Sequence, residues 1–153
     1  MTGRPLVIAY GNRLRGDDAV GWAVADSLID DVRMEDVDVV AAHQLTPELA
    51  RDVSQASLVV FVDARIDAAG RPGEILVEVV EPDPTSAVMT HHVDNAAVLA
   101  LARAVYGHVP SAFAVSVAIE SAEAGASLGV AVSASVTTLV DTVVRLCGVA
   151  SDA

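Results

Sequence analysis

The chain has 153 residues, 53% of them apolar and 20% charged, which suits one globular domain and excludes wholesale disorder. Nine cations against twenty-one acids leave a charge of −12 with the histidines neutral; so acidic a chain repels phosphate backbones, and no nucleic-acid partner is expected. All nine cations are arginines, which also excludes Schiff-base lysines and the phosphate-binding lysine of a P-loop.

Pro5–Tyr10 is short, apolar and followed by turn residues, and predicts a buried strand. Asp18–Leu28 carries Val20, Val24 and Leu28 on one helical face, and Val37–Ala42 predicts a second strand. Thr46 and Pro47 predict the cap and first turn of a short helix reaching Val53. Leu58–Val62 is a near-continuous apolar strand closed by Asp63. Ile75–Val80 follows after about ten residues with no helix between, too few for a parallel crossover, so this strand is expected to run antiparallel. A helix over Val93–Tyr106, a fifth strand over Ala112–Ile119 and a helix over Ser133–Cys147 complete the chain. The alternation predicts an α/β three-layer sandwich in a single domain, 1–153: a five-stranded, mostly parallel sheet with one antiparallel edge strand and helices on both faces.

The single cysteine, Cys147, forms no disulfide within the chain and calls for no oxidising compartment. The first apolar run is too short for a signal-peptide core, and the longest uncharged runs are interrupted by glycine or proline before they reach a membrane span. A cytoplasmic protein with no membrane partner is the expectation.

Ligands of such sheets bind beyond the carboxyl ends of the parallel strands. The polar residues expected at that rim are Asp17 and Asp18 after the first strand, His43-Gln44-Leu45 after the second, Asp63 after the third, and His91-His92 on the loop returning from the fourth. Each has a plain structural explanation when taken alone: a helix cap for the paired aspartates, a turn for Asp63, a surface position for a histidine. Their convergence on one edge favours function. Two carboxylates and an imidazole suit a borderline ion such as nickel or zinc better than magnesium, and three ligands leave a coordination position open. Two other motifs carry less. Gly11-x4-Gly16 precedes two aspartates where a P-loop needs Lys-Ser/Thr, and Gly125–Gly129 matches G-x-S-x-G but no histidine follows its serine. Cys147, late in a helix, reads as a small core residue.

With those residues in place a resemblance emerges. Gly11-Asn12-x-Leu14-x-Gly16-Asp17-Asp18-Ala19-Val20-Gly21 after an N-terminal strand resembles the opening motif of the hydrogenase maturation proteases, which trim the large subunit of nickel–iron hydrogenases. The resemblance continues through Val62-Asp63-Ala64, His91-His92 and Ile119-Glu120-Ser121, with Gly129 beyond, and so runs from about residue 5 to 147. It implies a five-stranded α/β sandwich. It also implies metal ligation by Asp18, Asp63 and His92, and an endopeptidase that cuts a C-terminal extension from the large-subunit precursor after nickel insertion. The nickel is then that of the precursor, and zinc or cadmium could take its place in vitro. Asp18 or Asp17 would accept the proton of the attacking water, and both a metalloprotease and an aspartic-type description fit these residues. Where many members carry a glycine-rich stretch after the second strand, this chain has His43-Gln44-Leu45, which looks like the branch serving cytosolic, cofactor-reducing hydrogenases and would contact the substrate. The alternative from another class is a non-catalytic nickel-binding accessory protein using the same ligands.

Overall fold

The computed structural model describes residues 3–11, 19–66, 71–85, 88–89, 92–119 and 129–151, with only the backbone described at 66, 88–89, 92 and 149–151. Its elements in chain order are β1 (Pro5–Tyr10), α1 (Val20–Ile29), β2 (Asp38–Ala42), α2 (Leu49–Gln55), β3 (Leu58–Ile66) and β4 (Ile75–Val79). These are followed by β5 (Val88–Met89), β6 (His92–Val93), α3 (Asn95–Tyr106), β7 (Ser111–Ile119) and α4 (Val130–Ser151).

One sheet has the order β2-β1-β3-β7-β4, its first four strands parallel and β4 antiparallel at the edge, as the short connection into β4 required. The two-residue strands β5 and β6 form a separate antiparallel pair that the sequence pattern did not reveal. The central strands are apolar on both sides because both faces are covered. Val7, Ala9, Val60, Val62, Val115 and Val117 pack against α1 and α4; Leu6, Ile8, Val59, Phe61 and Ala112 pack against α2 and α3. The expected three-layer α/β sandwich is the observed fold.

Boundaries moved for identifiable reasons. The strand expected to close at Asp63 continues to Ile66, because β7 pairs with it along its whole length, from Leu58↔Ser111 to Ile66↔Ile119. Asp63 therefore lies inside β3. Thr46 does not cap α2: Leu49 N–H and Ala50 N–H donate to the carbonyls of Thr46 and Pro47 at 3.2 and 3.1 Å, forming a tight turn ahead of a helix that starts at Leu49. The Thr46 side chain is instead hydrogen-bonded to Glu48, whose carboxyl it holds below its ordinary value. Helix α3 begins two residues later than the apolar pattern indicates, where Asp94 accepts from Ala97 N–H at 2.8 Å. It ends at Gly107, whose φ of 77° suits the left-handed cap.

Helix α4 corrects a further expectation. It starts before Ser133 and runs past Cys147, and by length and composition alone Val130–Gly148 would suffice to cross a bilayer. Val132, Leu139, Val140, Val143 and Cys147 are nevertheless buried in the same core as Val7 and Val60. One apolar side of this helix is committed to the sheet.

Candidate functional site at the stepped rim of the sheet

The chain leaves β1 through α1 on one face and reaches β3 through α2 on the other, so the sheet order switches between β1 and β3. Open α/β sheets bind ligands outside the strand ends at such a switch point. The rim there is stepped. β2 ends at Ala42 level with Tyr10, the last residue of β1, whereas β3 and β7 run on together to Ile66 and Ile119. The parallel register pairs Ala9 with Val62, which brings Tyr10 level with Asp63 at the step.

Alternation along the strands decides which face the polar residues share. Val59 and Phe61 point toward α2 and α3, so Asp63 and Arg65 continue that face; Tyr10 follows Leu6 and Ile8, and Ser116 follows Ala112 and Ala114. Asp63 and Ser116 are direct partners in the ladder. Arg65 bridges outward, donating to the Ser116 carbonyl at 2.9 Å and to its hydroxyl at 3.1 Å, and lies 3.7 Å from Glu74. Tyr10, Asp63, Arg65 and Ser116, with Glu78 and Glu81, border a cleft of about 600 Å³ between the end of β4 and the start of α3. A second hollow of about 440 Å³ lies at the opposite, amino-terminal end of the strands, beside Arg4 and Asp38.

Among the described residues of this rim, Tyr10 is the most perturbed group. Burial first, then the charge and hydrogen bond of Asp63, and finally the charge of Asp94 hold its phenol above the ordinary value of 10.0. The phenol donates and the Asp63 carboxylate accepts, so a bond joins two strands far apart in sequence. Sequence reasoning passed over Tyr10 as the last apolar residue of a strand; the signal available was a hydroxyl-bearing aromatic at the carboxyl end of β1.

The expected site residues fare differently. Asp17 and Asp18 lie outside the described residues, as does His91. The backbone of His92 is in β6, opposite Met89. The two residues after it are anchored to the same face of the molecule: Val93 is buried among Ile8 and Phe61, and the charge of Asp94 reaches Tyr10. His43 is exposed just beyond β2, Gln44 is half-buried, and Leu45 is buried in the core beside Val53 and Leu99. Among the described residues no three of His, Cys, Asp and Glu are grouped to hold a metal, and of the expected ligands only Asp63 has a described side chain. A carboxylate with two oxygens can accept from Tyr10 and still ligate a borderline cation, so Asp63 fits that role.

On its way to Asp17 and Asp18 the chain leaves β1 from a fixed point. Gly11 N–H donates to the Ala42 carbonyl at 3.1 Å, and Trp22 Nε1 donates to the Gly11 carbonyl at 2.8 Å. Gly21 allows the close approach of α1, since a Cβ there would meet the Tyr10 carbonyl oxygen at 2.9 Å. The G-x-S-x-G stretch lies outside the described residues except for Gly129. Cys147 is buried, and burial pushes its thiol up to about 11, as befits a core residue.

No protein-family model and no curated protein matches the sequence. Solved structures do match. HybD of Escherichia coli, a hydrogenase maturating endopeptidase, is 25% identical with a TM-score of 0.76, over 92% of this chain and 89% of its own. The hydrogenase 2 maturation peptidase of a Thaumarchaeota archaeon is 25% identical with a TM-score of 0.72, over 95% of this chain and 98% of its own. The [NiFe] hydrogenase maturation protease HycI of Thermococcus kodakarensis shares the fold at 22% identity and a TM-score of 0.75, over 95% of this chain and 92% of its own. Over more than nine-tenths of its length, the chain is a structural relative of the hydrogenase maturation proteases.

Proposed function

We propose that this chain is an endopeptidase that removes the C-terminal extension of a nickel–iron hydrogenase large-subunit precursor once nickel has been inserted. The observation that carries the reading is the match, over more than nine-tenths of the chain, to hydrogenase maturation endopeptidases, with Asp63 at the switch point of the sheet. In this reading Asp63, with Asp18 and His92, engages the nickel already held by the precursor, which polarises the scissile carbonyl or activates a bound water. A water oxygen attacks the carbonyl carbon. Its proton passes to a carboxylate, Asp18 or Asp17, and is returned to the departing amide nitrogen as the carbon–nitrogen bond breaks. The cleft beside Asp63 receives the peptide segment, and the exposed His43 with the half-buried Gln44 borders the substrate from the β2 side, while Leu45, packed in the core, only anchors that stretch. Because the metal belongs to the substrate, an unloaded precursor lacks the group that docks it. The reaction belongs to the cytoplasm, in keeping with the resemblance to the branch serving cytosolic hydrogenases.

The test uses a large-subunit precursor prepared with and without nickel, incubated with the wild-type chain, with Asp63→Asn and with Asp18→Ala, and read as intact mass. Loss of a C-terminal peptide from the nickel-loaded precursor alone is expected. Each variant is expected to slow it by about a hundredfold or more, the scale of losing a principal catalytic interaction. A nickel-verified precursor left intact by the wild type would overturn the reading; nickel retention that falls in Asp63→Asn, with no cleavage in any sample, would point to the accessory protein instead.

A further inference from the structure

Tyr10 has a chemistry that the proposed hydrolysis leaves unassigned. Its hydroxyl ends β1, bonds to Asp63 on the neighbouring strand and lies within the field of Asp94, the residue that caps α3 two positions after His92. The phenol thus links β1 to β3 through Asp63 and lies in the field of the β6–α3 junction that follows His92. A carboxylate at a strand position otherwise rotates about two side-chain torsions, and its terminal torsion is broad. A donor from a rigid central strand removes that freedom and selects one oxygen as its own, leaving the orientation of the other defined. Tyr10 is itself held from both sides, by the sheet ladder and by the close approach of α1 at Gly21. An aromatic needed only to fill space would not require its hydroxyl at this point.

We propose that Tyr10 is a positioning residue for Asp63, its hydroxyl fixing the carboxylate in the orientation that receives the cation of the substrate. The inference rests on the proposed function for its catalytic consequence, but the orientation of Asp63 also governs binding of a divalent ion to the chain alone. Groups that orient a ligating side chain commonly contribute about 10- to 100-fold to affinity or rate.

The experiment compares the full-length wild type with Tyr10→Phe, Asp63→Asn, the double variant and Tyr106→Phe, an exposed control on α3. With the nickel-loaded precursor, Tyr10→Phe is expected to lower kcat about 10- to 100-fold while KM stays within about twofold. The double variant is expected to be no slower than Asp63→Asn, because one effect runs through the other residue. Thermal unfolding reports whether the fold survives. Wild-type kinetics in Tyr10→Phe would overturn the proposal, as would a loss of rate that adds in full to that of Asp63→Asn. If the wild type trims no precursor, the proposed function fails and calorimetric titration of the chain with Ni²⁺ decides. Affinity weakened about tenfold in Tyr10→Phe supports the positioning role; equal affinity, or no binding by either protein, overturns it.

Discussion

Cys147 shows how far one residue's chemistry follows from its surroundings. It is 2% exposed between α4 and the sheet, and burial raises its thiol to about 11 from an ordinary 9.0. Because the folded value is the raised one, the contribution to stability is complete below about pH 9 and is lost as pH rises toward 11. Unfolding midpoints in urea are expected to fall across that window in the wild type and to fall less in Cys147→Ala. A thiol reagent at pH 8 should find no reactive group in the native chain and one after denaturation; rapid labelling of native protein would contradict the packing. The core assignment of Cys147 was legible from its helical position and apolar neighbours. The pairing of Tyr10 with Asp63 was not, because nothing in a strand's apolar run states which residue of another strand it will meet.

At the scale of elements, Gly21 provides a test of sign. Glycine inside a helix ordinarily costs about 0.5–1 kcal/mol relative to alanine, so replacement by alanine usually stabilises. Here the added Cβ would meet backbone atoms of Tyr10 at 2.9 and 3.1 Å, and neither helix nor strand can yield cheaply. Gly21→Ala is therefore expected to destabilise, by about 1–3 kcal/mol as overpacked sites do, with a lower urea midpoint as the readout. A gain in stability would mean that α1 does not approach β1 so closely. The type of every longer element was readable, because hydrophobic period is local; the two-residue strands β5 and β6 were too short to show one. Element ends were less so. β3 overran its apolar stretch because β7 continued the ladder, and α2 started late because Thr46 and Pro47 were taken into a turn. Neither outcome is visible in the residues of the element itself.

For the whole molecule, α4 poses the sharpest alternative. Its composition admits a membrane span, yet Leu139 and Val143 are fully buried against the sheet. Leu139→Ala should lower the unfolding free energy of the chain in detergent-free buffer by about 2–5 kcal/mol, the cost of a cavity in a packed core. A change within error would place that side of α4 outside the core. Packing of α4 and α1 on one face leaves α2 and α3 on the other, and it is this division that puts the sheet's switch point between β1 and β3. The cleft beside Asp63 is a property of that arrangement rather than of any single segment.

The sequence by itself determined the alternation of strands and helices, the antiparallel edge strand and the order in which its polar motifs follow the strands. Each of these is written in local periodicity, connection length or spacing, which do not depend on distant partners. Only the tertiary structure decided that Asp63 sits within a strand at a stepped rim, that Leu45 is a core residue while His43 is exposed, and that Tyr10 bonds to Asp63. The physical reason is register. A residue's neighbours across a sheet are set by the hydrogen-bonded alignment of strands some fifty residues apart, as Tyr10 and Asp63 are, and shifting that alignment by one residue would reverse every side chain's face.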